Sequence, residues 1–189
     1  MQARIALCVA GGVALLLRTA AARPADQPPL VPARDAAIVY HVQEPDGMVV
    51  VHMYFDAAGQ RVRIVSSDQP GFSLIDHRAG RYVVVDPAAH SYLRMPVPAG
   101  VGNLLFRNPD VRFTRKGTET VAGVSCTDWS WSGGNGGRRD ACITADGLVL
   151  SSHPAHPRKP GIGLVAVSVT YGPQPSALFE PPPAYHRFQ

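Results

Sequence analysis

The sequence predicts a mainly β protein, built as an antiparallel meander of short strands. Two observations predict this fold class. Runs of β-branched and aromatic residues recur at short, even intervals, and turn sequences of the Pro-Asp-Gly and Asp-x-x-Gly kind separate them. The even spacing favours strands that pair directly with their neighbours over the helix-linked strands of a parallel sheet.

The first 22 residues have the features of a signal peptide. Arg4 supplies a positive start, Ile5 to Leu17 form an apolar run, and Ala20-Ala21-Ala22 is a small-residue cleavage signature. The run is shorter than the roughly 20 apolar residues that a membrane-spanning helix needs. We therefore expect cleavage after Ala22, a periplasmic or secreted protein, and no transmembrane segment afterwards. The alternative is a short amphipathic or buried helix at a cytoplasmic N-terminus.

Cleavage would also change the charge and the cysteine count. Arg4 and Arg18 leave with the leader, so the formal net charge falls from +4 to +2. Cys8 leaves too, and the two remaining cysteines suit an oxidising compartment. The basic residues are scattered along the chain, which excludes a nucleic-acid footprint, and we expect no nucleic-acid partner.

The mature chain divides into three predicted parts. Residues 23–35 form a Pro-rich linker that we expect to be extended and mobile. Residues 36–180 form a single β domain, which is long enough for a sizeable core. Residues 181–189 form a Pro-rich tail in which further regular structure is not expected. Leu178 and Phe179, just before the tail, are expected to pack down on the domain.

The predicted strands of the domain alternate with turns. They are Ala36–Glu44, Met48–Phe55, Arg61–Ser67, Phe72–Asp76, Arg81–Val85, Ser91–Val97 and, near the end, Gly163–Tyr171. In the last of these, Val165, Val167, Val169 and Tyr171 are expected to share one face. Residues 48–51 and 82–85 are apolar on both faces, so each needs cover on both sides. One face can belong to the core, and the other needs a helix or a ligand.

A candidate helix follows the sixth strand. Val101, Leu104 and Leu105 have the spacing of one helical face, and Phe106 extends it. The segment is either a lid over the sheet or a short connecting helix that packs on the core. If it is a lid, these four residues are the candidate ligand-binding residues.

A cysteine-bearing hairpin lies between Phe113 and Leu150. If the chain folds back about residue 134, inside the run Gly133-Gly134-Asn135-Gly136-Gly137, Cys126 faces Cys142. Facing residues lie about 4.5–5.5 Å apart at Cα, within the range that a disulfide tolerates, so we predict that bond. The same register places Asp128 opposite Asp140. Trp129 and Trp131 lie on the other face, either in the core or along a ligand surface.

No catalytic constellation is present in the sequence. The Gly-x-Ser-x-Gly, His-Glu-x-x-His, Cys-x-x-Cys and phosphate-loop patterns are all missing. His153 and His156 have metal-ligand spacing, but a proline follows each and no third ligand is near, so we expect loop histidines and no metal site. The sequence predicts a protein that is not an enzyme and needs no cofactor.

Three segments resemble a known family: FTRKGTETVAGVSCTDW, RRDACITADG and LFEPPPAY. They are similar to uncharacterised secreted bacterial domains related to the LolA lipoprotein carrier. The resemblance implies an incomplete (half) barrel of antiparallel strands, with an apolar concave face and one or more short helices as a lid. In the carriers the cavity under such a lid holds acyl chains. No functional residue of the family can be placed on this sequence.

Three functions follow from these observations. The first is a non-catalytic periplasmic carrier that binds an acyl chain or another apolar ligand, with a lipid or a lipidated protein as partner. The second is an envelope module that binds another protein and no small molecule. The third, ranked last, is a hydrolase whose site has no known motif.

Overall fold

The computed structural model describes residues 27–29, 31–98, 111–132, 137–155 and 163–188. Within these ranges a single sheet contains twelve strands. The strands are β1 (Ala36–Glu44), β2 (Gly47–Asp56), β3 (Arg61–Ser66), β4 (Phe72–Asp76), β5 (Arg81–Asp86), β6 (Ser91–Pro96), β7 (Thr114–Val121), β8 (Val124–Ser132), β9 (Arg138–Ile143), β10 (Val149–Pro154), β11 (Gly163–Tyr171) and β12 (His186–Arg187). The predicted mainly β meander is therefore confirmed, with strand bounds close to those expected.

The sheet consists of two meanders joined side by side. Its strand order is β12-β6-β5-β4-β3-β2-β1-β11-β10-β9-β8-β7, so β1 pairs with β11 where the meanders meet. All pairs are antiparallel except β12, which runs parallel to β6. The outermost strands β12 and β7 are not paired with each other, so the sheet is open and does not close into a barrel.

The sheet curves around the face that carries Ile38 and Tyr40, which we call the inner face. Both side chains are about 1 % exposed. The Tyr40 hydroxyl donates a 2.7 Å hydrogen bond to the carbonyl of Val149 on β10, two strands away. Strand β7, at the far edge, also comes into contact with β11. These contacts fold the second meander over the inner face, and burial raises the pKa of Tyr40.

The core fills the inner face over one half of the sheet only. Its buried side chains come mainly from β1, β2 and the strands of the second meander, and they include Trp129. Trp131 is partly buried against them, and Phe113 stacks on it with ring centroids 5.2 Å apart. The tryptophans are therefore core residues. Toward β5 and β6 the inner face becomes exposed, since Val84 is 38 % and Leu93 41 % exposed.

The outer face of β4 and β5 has a different cover. Leu74, Val83 and Val85 are buried there, and Tyr185 of the C-terminal segment packs against them. A single 3-10 turn (Ser176–Phe179) precedes this contact and buries Phe179. The apolar second face of residues 82–85 is thus covered by the chain's own tail, and neither a helix nor a ligand is needed there.

The tail also corrects the expectation that it forms no further regular structure. After Pro181–Pro183 it pairs with β6 as β12, and Phe188 N–H donates to Tyr92 O at 2.8 Å. His90 and Tyr185 meet edge to face with centroids 5.3 Å apart. The prolines end the 3-10 turn without preventing a later strand.

The cysteine hairpin has the predicted bond in a different register. Cys126 and Cys142 are joined, with Cα atoms 5.4 Å apart. However, Asp128 lies opposite Cys142, and Asp140 lies opposite Ser130, so the predicted facing pairs are wrong by two positions. The disulfide connects diagonal neighbours, which twisted strands bring close along one diagonal.

A bulge in β11 corrects the predicted face of its valines. Val39 pairs with Ser168 and Tyr40 with Ala166, which leaves Val167 as the extra residue. Val167 is 45 % exposed and Ala166 only 3 %. The valines before and after the bulge therefore do not share one face.

The segment before β1 is held on the domain where the structure describes it. Gln27 both donates to Phe113 O and accepts from Phe113 N–H, at 3.0 and 2.9 Å. Ala33 N–H donates to Asp146 O at 2.8 Å, and Arg34 stacks on Tyr171 at 3.9 Å. These contacts show that part of the predicted linker is attached to the sheet.

Several predictions concern residues outside the described ranges. They are the signal peptide (1–22), the candidate lid residues Val101, Leu104, Leu105 and Phe106, and His156. In the described ranges, no helix has the length and apolar character needed to cross a membrane.

Candidate functional site

A groove lies on the inner face where the core ends. It has a volume of about 390 Å³, within the range of about 300–1,000 Å³ typical of small-molecule sites. Its lining residues come from β3, β4 and β5 and from the turn between β3 and β4. They are Ile64, Ser66, Gln69, Pro70, Gly71, Phe72, Ser73, Tyr82, Val84, Val85 and Asp86. We call this cavity the inner groove.

The strand register explains how the walls form. Ile64 on β3 pairs with Ser73 on β4, and Ser73 pairs with Val84 on β5. These three side chains point to the same face, because directly opposite residues in a sheet share a face. Leu93 on β6 lies opposite Val84 and continues the apolar surface toward the sheet edge.

Polar groups occupy defined positions in the groove. Ser73 Oγ and Tyr82 Oη are hydrogen-bonded at 2.8 Å, so the polar ends of these side chains satisfy each other. Ser66 donates to the Asp68 carboxylate at the β3–β4 turn. Asp86 lies at the same end of the groove, where its Oδ1 accepts from the N–H groups of Ala88 and Ala89 at 2.9 and 3.2 Å.

Gly71 allows the turn to close this end of the groove. A Cβ atom at this position would lie 2.0 Å from the carbonyl oxygen of Val85, far inside contact distance. Only glycine permits this approach of the turn to the end of β5. The β3–β4 turn therefore lies against β5, and its residues become groove lining.

Arginines support the groove from the outer face. Arg63 stacks on Phe72 at 3.5 Å and donates to Leu178 O at 3.2 Å, so it links β3, β4 and the tail. Burial lowers the pKa of Arg63. Arg61 pairs with Asp56 at 2.6 Å and with Glu180 at 3.2 Å, and its guanidinium lies 5.1 Å from the Phe179 ring centre. These contacts hold the groove strands and the tail together.

A second surface lies on the outer face where the two meanders meet. Met48, Val165 and Val167 are 61, 42 and 45 % exposed there. A shallow cavity of about 380 Å³ includes His41, Met48, His153 and Val165. We call this region the outer patch. The bulge at Val167 contributes to it by turning two valines outward.

The described residues do not form the metal or carboxylate sites that the sequence suggested for consideration. Glu119, Cys126 and Cys142 come within 4.8 Å of one another, but the two sulfurs are bonded to each other. His153 is exposed, and its Nδ1 lies 3.2 Å from its own neighbour's carbonyl, Pro154 O. Asp128 and Asp140 are not directly opposed.

The inner groove was only partly foreseeable. Residues 82–85 were predicted to be apolar on both faces, and Tyr82 and Val84 do line the groove. Ser66, Ser73 and Asp86 were not predicted as site residues. The strict alternation in β3 was the available signal, because it assigns Ile64 and Ser66 to one face.

Comparison with known proteins shows what this fold is similar to. No protein-family model matches the chain, and no curated protein matches it by sequence. Among solved structures, an uncharacterized conserved protein from Thermus thermophilus matches with a TM-score of 0.58 and 11 % identity, over 82 % of this chain and 91 % of that one. MucB matches with a TM-score of 0.59 and 10 % identity, over 82 % of this chain but only 60 % of MucB.

The resemblance expected from the sequence is also found. The LolA superfamily protein NE2245 from Nitrosomonas europaea matches with a TM-score of 0.41 and 9 % identity, over 82 % of this chain and 92 % of that one. At these identities the shared property is the fold: one open, curved, mainly antiparallel sheet.

Proposed function

We propose that this protein is an exported, non-catalytic carrier that binds an acyl chain or a similar apolar ligand in the inner groove. The observation that carries the proposal is the change in the inner face from filled to open. Val51 is 8 % exposed in the core, whereas Val84 on the same face is 38 % exposed. A row of apolar side chains along a concave surface is a site that an alkyl chain can cover.

The energetics favour a chain-like ligand. Each buried CH₂ gains about 0.8 kcal/mol, so a chain that covers Ile64, Val84 and Leu93 gains several kcal/mol before ordering costs. The polar ends of Ser73 and Tyr82 already pair with each other, so an apolar ligand leaves neither of them without a partner. An acyl chain needs no directional contacts, which fits a groove with few polar groups.

Export is part of the proposal. The buried disulfide between Cys126 and Cys142 suits an oxidising compartment. Intact-mass analysis of protein produced in a secreting host should give a chain that begins at Arg23. A soluble product that retains residues 1–22 would contradict the export proposal and leave the groove proposal standing.

The binding experiment uses Nile red, a neutral apolar dye, and its displacement by dodecanol. Wild-type protein should bind the dye, and dodecanol should compete for it. Val84→Asp should weaken dye binding by about tenfold or more, because a carboxylate would have to be desolvated inside the groove. Val167→Asp is the matched control, since Val167 is a similarly exposed strand valine on the other face. Equal losses in both variants, or no wild-type binding, would refute the proposal.

The second candidate function is an envelope module that binds another protein through the outer patch. The exposed Met48, Val165 and Val167 favour it, because contiguous exposed apolar residues often mark protein interfaces. MucB, whose fold is similar, has been solved in complex with MucA(peri). Double substitution Val165→Asp and Val167→Asp should abolish cross-linking to an envelope partner and leave Nile red binding unchanged. Cross-linking that survives this substitution would exclude the outer patch.

A further inference from the structure

We propose that the inner groove selects an alkyl chain with a cationic head, such as a primary ammonium, and that Asp86 receives that head. This inference rests on the proposed function, because it needs a chain in the groove. It goes further by naming the chemistry of the ligand's polar end. The argument rests on the charge, the position and the free acceptor capacity of Asp86.

Asp86 is the only residue with a formal charge among the described residues that line the groove. It follows Val84 by two positions on β5, so it lies on the same face at the end of the apolar surface. A ligand whose chain covers Val84 therefore places its head close to this carboxylate. A carboxylate head would meet a like charge there, and an ammonium head would meet an opposite one.

The Asp86 carboxylate is held in position with one oxygen still available. Its Oδ1 accepts from two backbone N–H groups of the following turn, Ala88 and Ala89. Within the described part of the chain, Oδ2 accepts no hydrogen bond. A fixed carboxylate with a free oxygen can accept a charge-assisted hydrogen bond with little loss of side-chain entropy.

The neighbouring turns reinforce the negative charge. The turns at this end of β1 to β6 carry Glu44, Asp46 and Asp68, and their sequences (EPDG, SDQPG and DPAAH) contain no lysine or arginine. The arginines of these strands lie elsewhere: Arg63 stacks on the outer face, and Arg81 pairs with Asp76 at the opposite end. A negative potential at this end of the groove favours a cationic head over an anionic one.

The polar groups near the head are compatible with this choice. Ser66 lines the groove at the Asp86 end, and its hydroxyl oxygen can accept a hydrogen bond while it donates to Asp68. Gln69, in the same turn, donates through Nε2 to Asp68 at 3.2 Å. This end of the groove therefore offers acceptors to an ammonium group.

The test compares three probes with one chain and different heads: dodecylamine, which is an ammonium at neutral pH, dodecanol and dodecanoate. Each competes with Nile red below its micelle concentration, on wild type, Asp86→Asn and Asp46→Asn. Asparagine keeps an oxygen for the Ala88 and Ala89 N–H groups, so the turn is retained. Asp46→Asn is the matched control, because it removes one charge from the same end of the sheet without touching the groove.

Wild type should bind the ammonium probe at least about fivefold more tightly than dodecanol, and dodecanoate least tightly. Asp86→Asn should bring the three affinities within about twofold, and Asp46→Asn should keep the wild-type order. Added salt should reduce the wild-type difference, since the site is open to solvent. If dodecanol binds but the three heads rank alike in wild type and Asp86→Asn, the head-group inference is wrong and the carrier proposal survives. If dodecanol itself fails to bind, the carrier proposal fails.

Discussion

Cys126 and Cys142 are bonded across a diagonal of the β8–β9 pair, with Cα atoms 5.4 Å apart and both side chains buried. The bond closes a short loop that contains the glycine-rich turn. Such a loop is worth about 3 kcal/mol in the chain-entropy model. The double variant Cys126→Ala with Cys142→Ala should lose about that much free energy of unfolding in urea titrations. Because the bond lies away from the inner groove, Nile red binding of the folded variant should persist. An unchanged unfolding midpoint would contradict the structural role.

The tail should contribute to stability through Phe179. This side chain is 5 % exposed, whereas Phe188, nine residues later, is 63 % exposed. Truncating a buried phenylalanine typically costs about 3–5 kcal/mol. Phe179→Ala should therefore lower the free energy of unfolding by about 3 kcal/mol, and Phe188→Ala should change it by less than about 0.5 kcal/mol. Equal effects would show that the tail is not packed as described.

The Gly71 turn should not accept a side chain. Its Cβ would lie 2.0 Å from Val85 O, so Gly71→Ala must displace the turn or the end of β5, at a cost of about 1–3 kcal/mol. Gly117→Ala on the edge strand β7 is the control, because nothing lies within 4 Å of its Cβ position. Thermal unfolding of the two variants checks this. The groove end is wrongly described if both variants melt alike.

Acid should weaken the fold through Asp56 and Asp76. Burial opposes their ionisation, but hydrogen bonds from backbone N–H groups and from Arg61 or Arg81 outweigh it and hold both pKa values below the ordinary one. A carboxyl whose folded pKa is depressed adds stability above its unfolded pKa, about 3.9, and loses it as the pH falls through the folded value. Asp56→Asn should therefore reduce the drop in unfolding free energy between pH 7 and pH 3. An unchanged drop would contradict the assignment.

The strands were predictable because local chemistry determines them. Turns such as Pro45-Asp46-Gly47 have few conformations available, and the runs between them have strand periodicity. The hairpin after Ala122 and Gly123 follows the same logic, since both residues take the positive φ values that a tight two-residue turn requires. Boundaries set by such turns are readable from the sequence.

Register and cover were less predictable because distant contacts determine them. The glycine-rich turn between β8 and β9 allows several registers, and the observed one differs by two positions from the predicted one. The bulge at Val167 falls in a run where nearly every residue is apolar, so no periodicity identifies it. The contact of Tyr185 with Val83 and Val85 joins residues about a hundred positions apart, which no local pattern reports.

The most direct test of the account is methyl NMR of the isotope-labelled protein during titration with dodecanol. Ligand in the inner groove should shift the methyl resonances of Ile64 and Val84 in a saturable way, because these side chains line the groove. The methyl groups of Val165 and Val167, which are similarly exposed on the outer face, should remain unchanged. Saturable shifts confined to Val165 and Val167, or no shifts at any of the four residues, would contradict the claim that this protein carries its ligand on the inner face of the sheet.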